Sequence, residues 1–246
     1  MGLRGLDSQP LSRKGNKMLH FRDHVNQAER SKWLNKELKD AAHTYRIPGY
    51  NVPPPYSQIS FKRRPTHCVD VGVNVAGFSI YASPFFKNVT GFEPARSTYH
   101  TAVENIKSSG KKNIKVNNLA VGDKSGETVH LRTHENELSR DASCFNPAQH
   151  PGWGREQVEE VSTICLEDIY SQHNIDYIDY MKVDCEGSEY PLLINKDLSK
   201  INFLSLEIHP GLLGEDLTTE LLKYLELYFK LHYQFGEHIL FYETRS

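Results

Sequence analysis

A chain of 246 residues with 38% hydrophobic and 24% charged content has the composition of an ordinary globular protein, large enough for one well-formed core and an appendage. No run approaches the ~18 apolar residues of a membrane-spanning helix. The opening Met-Gly-Leu-Arg-Gly-Leu lacks the apolar core of a signal peptide and the hydroxyl residue that myristoylation needs at the sixth position, so a cytoplasmic protein is expected.

The net charge of −2 conceals an asymmetry: residues 1–65 hold 13 Lys+Arg against 5 Asp+Glu, net +8, and the remainder 16 against 26, net −10. Two domains are expected, a basic N-terminal helical extension over 1–65 and an acidic body over 66–246. Met18 to Tyr45 is helix-compatible, with Phe21, Val25, Trp33, Leu34, Leu38 and Ala41 forming a partial apolar stripe. Gly49 to Pro55 breaks it. Such a helix packs on the body or lies across its site as a lid; the alternative is a surface for an anionic partner such as membrane lipid or polyphosphate. Aromatic residues are sparse among the basic ones, so nucleic acid is not an expected partner.

The body opens with a short apolar run, Cys68 to Val71, followed by a turn with Gly72, Asn74 and Gly77. A helix-like stretch, Phe78 to Phe85, and a second strand, Asn88 to Phe92, lead to Glu93. This is the strand, glycine loop, helix, strand and acid of a nucleotide-binding α/β sheet, in which a carboxylate ~20 residues on can accept both hydroxyls of a ribose. A phosphate loop is excluded, because Phe78 stands where its lysine must be. A dinucleotide loop is weakened by Asn74 at its middle glycine, where a pyrophosphate would press on the backbone. What remains is a ribose ligand without phosphate, S-adenosylmethionine.

Thr98 to Ser108 reads as a helix, capped by Ser97 and ended by Gly110, and Ile114 to Ala120 as a third strand. Asp123 to Gly126 is a turn and Thr128 to Leu131 a small hairpin strand. Residues 132–158 lack periodicity, and a loop of that length suggests a substrate cover, with Ser143, His150 and Trp153 as lining candidates. Val161 to Ile164 is a strand and Leu166 to Ser171 a helix. Ile178 to Val183 is a core strand that delivers Asp184 and Glu186 to the edge where open α/β sheets bind ligands. Glu189 begins a helix, whose dipole favours an acid there. Phe203 to Ile208 carries Glu207 and His209 to the same edge, Leu212 to Phe229 is an amphipathic helix, and Leu231 to Tyr242 holds the last one or two strands. Cys68, Cys144, Cys165 and Cys185 show no metal spacing, and reduced, buried thiols are expected.

The ordered set Asp70 to Ser79 (DVGVNVAGFS), Gly91 to Pro94 (GFEP), Asn118 to Asp123 (NLAVGD), Lys182 to Glu189 (KVDCEGSE) and Leu206 to His209 (LEIH) resembles the successive motifs of the FkbM-type methyltransferases over roughly residues 66–210. One departure is Ala76, where that family usually has glycine, with Gly77 beside it. The resemblance implies a Rossmann-like class I methyltransferase sheet, mostly parallel, of about seven strands with helices on both faces. It implies S-adenosylmethionine as cofactor and S-adenosylhomocysteine as product. Cofactor contacts are expected from Asp70, Gly72, Asn74, Gly77, Ser79, Glu93 and Pro94, with Asn118, Leu119 and Ala120 near the purine. Oxygen acceptors are implied, hydroxyls of a sugar, glycan or small metabolite, with a carboxyl as the alternative.

An alcohol must lose a proton as it takes the methyl, and His209 has the side chain whose ordinary pKa suits a base near neutrality. It is assigned as base or substrate orienter, with Asp184 and Glu207 holding it or bonding acceptor hydroxyls, and Glu186, Ser143 and Trp153 on the substrate side. Asp184, Glu186, Glu207 and His209 could instead hold a hard cation such as Mg²⁺, a reading placed second because strand-end acids also cap helices and orient sugars. Two other readings stay open, an NAD-linked oxidoreductase and a methyltransferase-fold binding domain without turnover.

Overall fold

The computed structural model describes residues 27–45, 60–134, 156–235 and 238–245, with side chains of the first helix described at 34–41 and 44. Helix α1 (Gln27–Thr44) precedes the body. There follow β1 (His67–Val71), α2 (Gly77–Ala82), β2 (Asn88–Phe92), α3 (Arg96–Ser109) and β3 (Ile114–Asn117). Next come β4 (Ala120–Val121), β5 (Thr128–His134), β6 (Glu156–Ile164), α4 (Leu166–Gln172), β7 (Ile178–Val183) and α5 (Glu189–Leu193). The chain ends with β8 (Ile201–Glu207), α6 (Pro210–Leu213), α7 (Glu215–Leu225), β9 (Phe229–Phe235) and β10 (Ile239–Thr244).

Seven strands form one sheet in the order β3-β2-β1-β7-β8-β10-β9. All neighbours from β3 to β8 are parallel, and β10 runs antiparallel to both β8 and β9. The sheet is Rossmann-like, and its chain order reverses between β1 and β7, the position at which such sheets open a crevice at their carboxyl ends. Period-two alternation sends neighbouring side chains to opposite faces. Val69, Met181, Leu204 and Leu240 pack with Leu166, Ile169, Leu192, Leu221 and Leu225 of α4, α5 and α7. Cys68, Tyr180, Phe203 and Phe241 pack on the other face with Phe78 and Ala82 of α2 and with Ala41 and Tyr45 at the end of α1. The described part of the basic extension thus lies on the body: Leu34 and Leu38 join Val73, Ile80 and Ala102, and Glu37 accepts the Gly77 N–H at 3.1 Å.

Several elements differ from expectation. The third strand stops at Asn117 because Asn117 and Asn118 turn their amides onto backbone carbonyls, Asn117 onto Gly91 and Asn118 onto Glu93 and Pro94. Ala120 and Val121 pair with β6 in a second, three-stranded sheet of order β4-β6-β5. The long loop is shortened at both ends by this hairpin, and Ser143, Cys144, His150 and Trp153 lie outside the described residues, as does the break at Gly49 to Pro55. The expected helix over 212–229 divides at Gly214, whose φ of 84° and ψ of 159° no helix can use. Helix α3 begins one residue before Ser97, with Ala95 at its cap; Ala95 gives its N–H to Glu93 at 2.9 Å.

Candidate active site

At the carboxyl edge of the sheet an open cleft of about 560 Å³ is lined by the ends of β1, β2 and β7 and by Leu119 to Val121. Gly72, Asn74, Glu93 and Pro94 stand on one side of it, and Asp184, Glu186 and Ser188 on the other. Gly72 makes this junction feasible. With φ at +76°, it sits so close to β7 that an added Cβ would lie 1.7 Å from the Asp184 carbonyl oxygen. The glycine is required by the crossing of two strand ends as well as by any ligand above it.

Glu93 is 5% exposed, and backbone groups hold its carboxylate: Oε2 accepts the Asn74 N–H and Oε1 the Ala95 N–H, each at 2.9 Å. Burial raises its pKa to about 8, more than these two bonds lower it. The carboxylate ties the β1 loop to the start of α3, and Asn118 ties the same corner from behind through the carbonyls of Glu93 and Pro94, at 2.9 and 2.7 Å. Asn118 therefore shapes the wall, while Leu119 and Ala120 face the cleft.

Asp70 and Ser79 stand behind the wall, both fully buried, the Ser79 hydroxyl donating to Asp70 Oδ2 at 2.5 Å. Gly77 is covered by Glu37. The group that organises this region is one whose role the sequence pattern does not disclose: Lys182, at the end of β7 and 3% exposed. Its ammonium donates to the Gly72 carbonyl at 2.6 Å and lies 3.2 Å from Asp184 Oδ2 and 3.6 Å from Asp70 Oδ1. Burial opposes its charge, but Asp184, Tyr45 and Asp70 outweigh that and hold its pKa well above the ordinary lysine value. Tyr45 closes the group from α1, with its ring 5.5 Å from the ammonium and its hydroxyl 3.3 Å from Asp184 Oδ2. A lysine inside the apolar run Ile178 to Val183 was the available signal, because a buried lysine needs acidic partners.

Beyond Asp184 the chain turns through Glu186 and Gly187, both in the left-handed region with φ of 48° and 98°. The turn is fastened by Glu189, which is fully buried and accepts the Gly187 N–H at 3.1 Å on the oxygen that meets His209. His209 Nδ1 stands 2.7 Å from Glu189 Oε1. A carboxylate only accepts, so Nδ1 donates, and Nε2 is directed to Glu186 at 3.3 Å and Asp184 at 4.0 Å. Burial disfavours a charge on the ring, but the Glu189 hydrogen bond and the Glu189, Glu186 and Asp184 carboxylates prevail and raise its pKa to about 9. Glu207, at the end of β8, has its carboxyl pKa raised by burial and by Asp184, against the pull of His209. Glu189, read from sequence as a helix-start residue, is therefore also the group that orients His209.

The FkbM methyltransferase domain matches residues 70–235, two thirds of the sequence. The chain belongs to the FkbM methyltransferase family. The match with curated proteins finds no relative. Among solved structures the chain is similar to a Streptococcus mutans protein crystallised with S-adenosylhomocysteine, at 9% identity and a TM-score of 0.44 over 86% of this chain and 97% of that one. It is also similar to an rRNA methylase from Streptococcus thermophilus, at 10% identity and a TM-score of 0.42 over 86% and 95%. A third is M. capricolum TrmK with S-adenosylhomocysteine, at 14% identity and a TM-score of 0.40 over 86% and 66%. No helix among the described residues is long and apolar enough to cross a membrane.

Proposed function

We propose that this FkbM-family chain moves a methyl group from S-adenosylmethionine to an oxygen of a small acceptor, a hydroxyl of a sugar, glycan or metabolite, with a carboxyl as second candidate. The observation that carries the reading is a single cleft that Glu93 enters from one side and Asp184 and Glu186 from the other. Glu93 takes the ribose hydroxyls, Leu119 and Ala120 flank the adenine, and the methionine arm crosses Gly72 and Asn74 toward Asp184.

The acceptor oxygen stands behind the sulfonium methyl. A new O–C bond forms as the S–C bond breaks with its electron pair kept by sulfur, leaving neutral S-adenosylhomocysteine, and the acceptor's proton passes to the Asp184, Glu207 and His209 group. Holding two reactants in line can supply up to ~7–11 kcal/mol of the acceleration. His209, fixed by Glu189, serves as the orienting group.

Titration with S-adenosylhomocysteine tests the cofactor half. Glu93→Ala loses two hydrogen bonds from a carboxyl that burial keeps largely protonated near neutral pH, worth roughly 0.5–1.5 kcal/mol each, so its affinity is expected to fall about 5–150-fold. Identical titrations for wild type and Glu93→Ala would overturn the assignment. His209→Ala is expected to keep cofactor affinity and to lose turnover in a radiolabelled methyl screen over monosaccharides, glycans and small acids. Tight NADH binding with none of S-adenosylhomocysteine would turn the reading toward an oxidoreductase.

A further inference from the structure

One carboxylate oxygen of Asp184, one of Glu207 and a ring nitrogen of His209 all lie within 4.8 Å of one another, half-buried beside the cleft. Bonds of about 2.0–2.2 Å to a common ion hold the ligand atoms within roughly 4.4 Å of one another, so the triangle closes as the ion binds. The three come from the ends of adjacent parallel strands, β7 and β8, and so sit on a rigid base. Asp184 spends Oδ2 on Lys182 and turns Oδ1 toward His209.

Two further observations point to a cation. His209 is already arranged as a ligand: its Nδ1 is engaged by Glu189, which fixes the ring and turns Nε2 toward the carboxylates of Asp184 and Glu186, as in a carboxylate–histidine–metal relay. Glu189 itself is fully buried and directed at His209, and its Oε2 has no hydrogen-bond partner among the described residues. Among the described residues Asp184 and Glu186 approach Nε2, Glu189 holds Nδ1, and Glu207 lies beside the ring, while the nearby ammonium of Lys182 is shared by Asp184 and Asp70.

We propose that Asp184, Glu207 and His209 bind one divalent transition-metal ion, with Glu189 positioning His209. Purely hard ions such as Mg²⁺ and Ca²⁺ favour all-oxygen sites, whereas one imidazole with two carboxylates suits a borderline ion, of which Mn²⁺ tolerates carboxylates best. Three protein ligands leave positions open, and an acceptor hydroxyl occupying one would lose its proton more readily. In that last role the site rests on the methyl-transfer reading; as a cation site it stands without it.

The test is Mn²⁺ titration of the EDTA-stripped full chain, followed by electron paramagnetic resonance, with S-adenosylhomocysteine affinity measured in parallel. One saturable Mn²⁺ per chain is expected. Glu207→Gln and His209→Ala should each weaken it at least tenfold while cofactor affinity holds, which shows that the variants are folded. Glu189→Gln, with every ligand intact, should weaken it ~10–100-fold. Competition by Zn²⁺ should exceed that by Mg²⁺. Absence of saturable Mn²⁺ and Zn²⁺ binding to wild type that binds S-adenosylhomocysteine would overturn the proposal, as would Mn²⁺ affinity unchanged in both ligand variants. Mn²⁺ binding that behaves as expected in a chain with no affinity for S-adenosylhomocysteine would support the cation site and refute the methyl-transfer reading.

Discussion

At the Glu93 end of the cleft one buried carboxylate is held by the N–H groups of Asn74 and Ala95, both within one β-α-β unit. At the Asp184 end, side chains from β1, β7, β8 and the turn between α5 and β7 gather on Lys182 and His209. The first arrangement is built from backbone geometry within one β-α-β unit, the second from charges that meet only when the sheet is assembled. Gly72 is where the two touch, so it offers the largest expected effect. Gly72→Ala would place a Cβ 1.7 Å from the Asp184 carbonyl at a φ of +76°, displacing β1 from β7. A loss above ~4 kcal/mol is expected in urea denaturation, enough to leave much of the chain unfolded. Near-native stability would show that the strand ends can part without consequence, and would remove the rigid junction on which the comparison depends.

Lys182→Met addresses the charged end alone. It leaves Asp70 and Asp184 buried or half-buried without their shared cation, and breaking such a pair costs about 3–5 kcal/mol. Adding Asp70→Asn should restore part of the loss, because it removes one of the two stranded charges. A loss under ~1 kcal/mol would mean that the Lys182 pairs hold geometry without contributing stability.

The pH dependence of stability addresses the Glu93 end. Its pKa is raised by burial from 4.5 to about 8, so between those values the folded chain holds a proton that the unfolded chain has released. The stabilisation is present in full below pH 4.5, falls as pH rises toward about 8, and is level above that. Its size is on the order of a few kcal/mol. Asp70, also raised by burial, adds a slope of the same sign, so the measurement is the difference between wild type and Glu93→Gln across pH 5–9. Parallel curves for the two would show that Glu93 is ionised in the folded chain over that whole range.

The same contrast explains what the sequence made legible. Strands β2 and β7 have the bounds expected from Asn88–Phe92 and Ile178–Val183, because alternation and flanking turn residues are local signals. Asn117 and Asn118 ended β3 early by bonding carbonyls some 25 residues back, which no window of sequence registers. Lys182 appeared in a motif, but its partnership with Asp70 joins residues 112 apart and depends on the β1–β7 pairing. Glu189 was legible as a helix start and not as the partner of His209, since that contact requires α5 and the end of β8 to converge.

The smallest expected effect lies in the loop between β1 and α2. Ala76 adopts φ 73° and ψ 23°, the left-handed conformation that disfavours any residue with a Cβ by roughly 1–2 kcal/mol, and here the family usually carries glycine. Gly77 does not relieve it. That glycine exists because Glu37 of α1 lies against it, an added Cβ falling 2.3 Å from the Glu37 Cβ. The two positions therefore serve different needs, backbone conformation at 76 and close approach of the extension at 77. Ala76→Gly removes the conformational strain but adds freedom to the unfolded chain, worth roughly 0.5–1 kcal/mol in the opposite direction. It also deletes a fully buried methyl that packs with Val73 and Ile80. The net should be within about 1 kcal/mol of wild type, with cofactor affinity unchanged, whereas Gly77→Ala should loosen α1 and be the more damaging of the pair. A strongly stabilising Ala76→Gly would mean that the strain of this loop, rather than the packing around it, is what limits the Glu93 end.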